Sequence, residues 1–479
     1  MNVLRKKALQ DPAFDSGMKR NLSATELTLF GLGSTIGSGV FVLTGVVAAT
    51  HAGPAIVLSL ILSGFACGCA VLSYAELAGS VGGCGSAYGY GYAALGELPA
   101  WIIGWMLLCE YMVALPAVAT GWSGYADTLL RSGGLELPRQ LVSGPFEAVS
   151  PGLVNLPAML IVVAAGAMLL TGAKMSSHIN ALLSCAKVGA ILLFLFVAVG
   201  EVKFENWLPF IPARETMPDG SERYGIAGVM SGSATIFFAY LGIDTVATTA
   251  EETRNPQRDV PIGLISTLVI CTGLYIAVAA VLTGVTSYRE LNVPSPVAAV
   301  LLGLGKNWAA GLVSIGAITG LTTAILVTYY GLTRVLLAMS RDRLIPGTFA
   351  KLTPNTRVPR TATLLSGVIM CIAAGVVPLE NLAKIANIGT LGCFVAACIA
   401  MLVMRRAHPN LPRPFRVPLG PLLPVLGIIS CGSLMLMLGK QTWTTFGIWM
   451  TLGMLVYVFY SYRNSRRAHG SAQDVRTLA

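Results

Sequence analysis

Between residues 27 and 462 the sequence is a succession of apolar runs of about 20 residues, each long enough to cross the hydrocarbon core of a bilayer as a helix. Backbone inside hydrocarbon must be hydrogen-bonded within the protein, so such runs fold as helices and the chain reads as an all-α polytopic membrane protein. Composition agrees: 54% of residues are hydrophobic and 11% charged, against roughly 25% charged in a soluble domain. Twelve spans are expected, near 27 to 50, 55 to 78, 99 to 130, 152 to 171, 175 to 199, 226 to 250, 261 to 286, 308 to 338, 361 to 378, 387 to 404, 421 to 438 and 444 to 462. Glu380 and Lys384 crowd the connection between the ninth and tenth.

Positive charge orients the chain. With the N-terminus inside, 21 of the 32 Lys and Arg fall on the inner side, in the N-terminal tail, after spans 8, 10 and 12, and at Lys174, Arg254 and Arg258. The positive-inside rule then places both termini in the cytoplasm of a cell-membrane protein. The net charge of +10 is accounted for by topology, with no basic aromatic surface for nucleic acid. Nine of the ten cysteines, Cys67 and Cys69 among them, lie in apolar runs at spacings that suit neither a disulfide framework nor a metal. The basic start of the chain lacks a small-residue cleavage site, so no signal peptide is expected.

The first span is built to break. "GLGSTIGSGVFVLTG", residues 31 to 45, carries five glycines and four hydroxyl residues. Gly33 and Gly37 form a GxxxG pair, which on its own could serve close helix packing. The sixth span, "GVMSGSATIFFAYLGIDTVATTAEE" (228 to 252), is interrupted at a similar depth by Gly242 and Asp244. Span 6 opens a second set of five that starts on the opposite side of the membrane, and interrupted helices at matching positions of two inverted repeats mark a transporter's central site. The expected organisation is a cytoplasmic tail (1–26), a first repeat (27–199), an extracytoplasmic loop (200–225), a second repeat (226–404), two further helices (421–462) and a cytoplasmic tail (463–479).

A broken helix exposes two kinds of backbone end. The N–H groups of Gly37, Ser38 and Gly39 form the positive end of the second half of helix 1, suited to a carboxylate. The carbonyls near Phe238, Ala239 and Leu241 end the first half of helix 6 and suit an ammonium group. Together they describe a zwitterionic α-amino acid. An enzyme is not expected: the sequence has no HExxH, GxSxG or Walker motif, and "GLGSTIGSG" lacks the strand that a dinucleotide fingerprint needs.

Several stretches also resemble a known family: "GSTIGSGVFVLTG", "YAELAGSVGGCGSAYGY" (74 to 90), "FFAYLGIDTVATTAEETRNPQRDVPIG" (237 to 263), "MSRDRLIP" (339 to 346) and "RPFRVP" (413 to 418). They look like the amino acid–polyamine–organocation superfamily, in its cationic amino acid transporter branch. The resemblance implies a LeuT-like 5+5 inverted repeat with broken helices 1 and 6, plus two further helices, working by alternating access. It implies substrate contacts at Thr35, Ser38, Gly39, Phe238, Ala239 and Leu241, with helices 3, 6, 8 and 10 shaping the side-chain pocket.

Charges inside spans are functional by default. Burial of Lys187, in "SCAKVGAILLFLFVAVG", works against its ammonium form and suits it to exchange a proton; by resemblance it occupies the place where sodium-coupled relatives bind an ion. Snorkelling to the inner face is its alternative role. Glu110, which by resemblance matches an acidic position of the family, is a second proton carrier, a group that favours cationic side chains, or a structural carboxylate. Asp244 either caps the second half of helix 6 or touches substrate. Thr319, Thr322 and Thr323 are candidates for the pocket, and Glu76, Glu251, Glu252 and Arg334 for an inner gate. The reading that results is proton-coupled symport of an amino acid, with protons as coupling ion and no cofactor. Exchange and amino acid sensing without transport are the alternatives, and both cationic and small neutral substrates stay open.

Overall fold

The computed structural model describes residues 22–81, 87–147, 151–172, 177–216, 222–248, 253–353, 356, 358–413 and 415–465. The described chain is predominantly helical. Ser23 starts α1 (Ala24–Thr35) with a capping box, its backbone N–H donating to Glu26 at 2.8 Å. At Ile36 the backbone turns extended (ψ 105°) and the helix stops. Helical winding resumes at Gly39 and runs through Gly39–Leu43, Thr44–Val47 and Ala48–Ala52, two of these wound as π-helix. Gly53, at φ +60°, ends it.

Long helices follow: α2 (Ile56–Val81), α3 (Glu97–Ser132), α4 (Leu156–Leu170) and α5 (Ser177–Ala198). The second interruption comes after α6 (Gly225–Ile236), where Phe237–Tyr240 tightens to a 3-10 turn. Leu241 is then extended, Gly242 sits at φ +87°, and winding restarts over Thr245–Thr248. The remaining long helices are α7 (Pro256–Val285), α8 (Asn307–Arg341), α9 (Arg360–Val376), α10 (Leu379–Ala407), α11 (Leu422–Leu436) and α12 (Gly439–Val456).

Eight helical segments among the described residues are long and apolar enough to cross a membrane, while α4, α9 and α11 are apolar but shorter. Local chemistry trims them inside longer apolar runs. Asn155 caps α4 by accepting from the Ala158 N–H at 3.2 Å, and Gly172, at φ +72°, lies just beyond its end. Pro378 directly precedes α10, so α9 and α10 are separated by only Val377 and Pro378. Glu380 and Lys384 lie in the first turns of α10 and pair with each other at 2.6 Å rather than sitting in a loop. Three elements lie outside the expected spans: the helices Ala87–Ala94 and Pro296–Gly303, and an antiparallel pair Glu215–Thr216 with Glu222–Arg223.

α3 is the structural axis. It packs on α4, α8, α9 and α10, and α7 packs on α1 and α2. Trp105 and Trp449 exchange indole N–H bonds with each other's carbonyls at 2.8 and 3.0 Å, their rings stacked at 4.8 Å, and Trp101 extends the stack. That contact pins α12 to α3. Ser59 and Ser63 of α2 donate to Val229 and Ser233 carbonyls at 2.8 and 2.7 Å, holding α6 against α2.

Candidate functional site

The two interruptions meet. A Cβ on Gly39 would lie 2.3 Å from Ala239 Cα, so only glycine allows the crossing. Ser34 Oγ donates to the Gly242 carbonyl at 3.0 Å and accepts from Thr245 Oγ1 at 2.9 Å, tying one break to the other.

Each broken end must be satisfied, and the helices around it do so. The Gly33 carbonyl, which has lost its helical donor, accepts from Lys187 Nζ of α5 at 2.5 Å. Thr35 O accepts from the Tyr275 hydroxyl of α7 at 3.2 Å. In α6, the Ala234 and Thr235 carbonyls accept from Asn387 Nδ2 of α10 at 2.7 and 2.8 Å. Phe41 O takes the Tyr125 hydroxyl of α3 at 2.7 Å.

Other groups at the breaks are left without a partner. Among the described residues, no acceptor meets the backbone N–H groups of Gly37, Ser38 and Gly39. Thr35 Oγ1, Ser38 Oγ and Glu110 Oε2 are also buried without a hydrogen bond. An unpartnered buried polar atom costs about 1–3 kcal/mol, so a cluster of them facing one space points to a ligand. All these residues line one cavity of about 40 Å³. Its opposite walls are apolar, with Ala114 and Val118 from α3, Ala324 and Val327 from α8, and Phe238 and Leu241 from the second break.

The sequence-derived candidates divide accordingly. Thr35, Gly37, Ser38, Gly39, Phe238, Leu241 and Glu110 line the cavity. Ala239 lies under Gly39 and away from it. Asp244 is buried outside the cavity lining, its carboxyl facing the backbone N–H groups of Asp244 and Thr245. Lys187, fully buried, sits beneath the first break with its stem against Gly320. The snorkelling alternative does not describe it.

Two expectations are corrected. Thr319, Thr322 and Thr323 bond back to their own helix, at the carbonyls of Ile315, Ile318 and Gly320, and do not line the cavity. The α8 face that does so lies further along, at Ala324, Val327 and Thr328, because the rotation of α8 is set by its packing on α3 and α5. Arg334 does not pair with Glu76. Its guanidinium lies 4.6 Å over the exposed Tyr330 ring on the outward face of α8. Glu76 accepts from Arg405 Nε and Nη2 at 2.7 and 2.5 Å and from Val417 N–H at 2.7 Å. Glu251 and Glu252 lie outside the described residues.

Sequence reasoning missed Ser34, Tyr111, Thr245 and Thr328 in the lining and Asn387 behind it. Ser34 stood within the glycine-rich stretch and could have been named, whereas a lone Asn at the start of an apolar run gives no signal.

The model of the amino acid permease family matches residues 22–460. The methylthioribose transporter of Bacillus subtilis is 44% identical over 467 residues, covering 97% of this chain and 99% of that protein. The branched-chain amino acid permease of the same organism is 44% identical over 471 residues, with 97% and 99% covered. The vacuolar cationic amino acid transporter 4 of Arabidopsis thaliana is 35% identical over 399 residues, with 82% and 64% covered. A site of unpartnered backbone ends at two crossing helix breaks, in a chain matched almost throughout, identifies a multi-pass membrane protein of the amino acid permease family whose work is amino acid transport.

Proposed function

We propose that the chain is a proton-coupled symporter of neutral amino acids with small or branched aliphatic side chains, acting by alternating access in the cell membrane with both termini cytoplasmic. The observation that carries the reading is the arrangement around the cavity. The N–H groups of Gly37, Ser38 and Gly39 and the hydroxyls of Thr35 and Ser38 stand ready for a carboxylate. At the second break the Leu241 carbonyl, from a residue that lines the cavity, has no donor among the described residues and suits an ammonium. Ala114, Val118, Ala324 and Val327 leave the substrate side chain an apolar wall. A cationic side chain would find one carboxylate there, Glu110.

Lys187 supplies the coupling in this reading. Its ammonium donates to Gly33 O, the first carbonyl freed at the end of α1, so protonation favours the arrangement in which that half-helix is held, and proton loss releases it. Glu110, with an unpartnered oxygen in the cavity and within electrostatic reach of Asp244, is the second candidate carrier. The two interrupted helices suit a LeuT-like pair of inverted five-helix repeats, α1–α5 and α6–α10, with α11 and α12 appended.

The test is uptake of labelled alanine, leucine and arginine into liposomes holding the purified protein, with and without an inward proton gradient. Gradient-driven uptake of alanine or leucine is expected. Uptake indifferent to the gradient but raised by preloaded amino acid would make the protein an exchanger, and arginine uptake alone would reassign Glu110 to substrate recognition.

A further inference from the structure

The two breaks are held from behind by different chemistry. At the first, Lys187 of α5 donates to Gly33 O; at the second, Asn387 of α10 donates to both Ala234 O and Thr235 O. Both side chains are 0% exposed. Each interrupted helix is therefore met by a donor from the helix four places further along the chain, which in the repeat arrangement proposed above is the same place in each half. The amide orientation at Asn387 is dictated: both neighbours are carbonyl acceptors, so only the NH₂ can face them. Its Oδ1 is left buried and unpartnered. Asn387 is outside the cavity lining, so its influence on substrate passes through the backbone it holds.

From this we infer that Asn387 is a positioning residue for transport, the non-titrating counterpart of Lys187. Its two hydrogen bonds hold the last turn of α6, just ahead of the Phe237–Tyr240 turn that leads to the Leu241 carbonyl on the ammonium side of the site. A lysine can release helix 1 by losing a proton, but an amide has none to lose over the physiological range. The second break therefore keeps its shape through the cycle while the first responds. The inference rests on the substrate orientation given above.

Asn387→Ala, Asn387→Asp and the natural protein are compared by counterflow of labelled alanine and leucine at several pH values. The same three are compared by hydrogen–deuterium exchange over residues 233–245, which reads the backbone whatever the substrate. The Ala variant is expected to raise KM about tenfold or more, since two buried carbonyls lose their donors, and to speed exchange in that segment at every pH. The Asp variant is the discriminating one. Ionised, it sets a carboxylate against two carbonyls; protonated, it returns one O–H donor. Both KM and exchange are expected to approach natural values at acid pH and to depart from them as pH rises, each judged against the natural protein at the same pH. An Asp variant with a natural KM and natural exchange across the pH range would overturn the inference. So would losses confined to folded yield, with KM and local exchange of the folded fraction unchanged. The expected exchange changes in the variants alongside absent counterflow by the natural protein would uphold the clamp and reject the substrate assignment alone.

Discussion

Lys187 and the glycines around it concentrate the consequences of single atoms. Removing the ammonium leaves Gly33 O buried without a donor, so Lys187→Ala is expected to cut proton-driven uptake at least about tenfold while counterflow persists. Gly320 offers an independent route to the same end. A Cβ there would lie 2.6 Å from Lys187 Cγ, so Gly320→Ala should push the lysine off its carbonyl and reproduce the defect in milder form, read by the same liposome assay. On the substrate side, Ser38→Ala removes one buried, unpartnered hydroxyl from the proposed carboxylate site. A hydrogen bond to a charged group contributes about 1.5–3 kcal/mol, so KM should rise about tenfold or more with little change in protein stability. The glycines and Ser38 were legible because a helix in lipid has few reasons to carry them; which hydroxyl would stay unpaired was not, since that depends on what the neighbouring helices leave out.

Elements divide into those that form the site and those that brace it. The reciprocal Trp105–Trp449 contact lies in the second group, outside the cavity lining. Trp449→Ala removes the stacked ring and the indole bond that Trp449 donates to Trp105 O, an expected loss of about 1–3 kcal/mol, seen as a lower thermal midpoint in detergent with KM unchanged. A raised KM would mean that α12 shapes the site after all. Helix positions were readable from apolar length, but their ends were decided by single residues such as Asn155, Gly172 and Pro378. The π-wound second half of helix 1 carries no periodic signal, because its winding answers to the crossing with α6 and to the glycine that ends it.

For the molecule as a whole, orientation is the open physical quantity, and charge asymmetry predicts it. In intact cells, a membrane-impermeant thiol reagent should reach Lys440→Cys, in the first turn of α12, and reach Lys351→Cys, after α8, only once the membrane is opened; the reverse pattern would invert the topology. The Glu76 network belongs to this scale as well, since it joins α2 to the end of α10 and the loop beyond it. By itself the sequence determined the class of solvent, the number of apolar runs, the two breaks and the backbone chemistry they expose, because each follows from local composition and the demand that backbone in hydrocarbon be satisfied. Tertiary structure decided which partner satisfies each freed group: Lys187 and Asn387 at the breaks, Arg405 rather than Arg334 for Glu76, and Ala324, Val327 and Thr328 rather than the preceding threonines at the cavity. Those choices depend on how each helix is rotated about its axis, and that rotation is set by packing against neighbours distant in the chain.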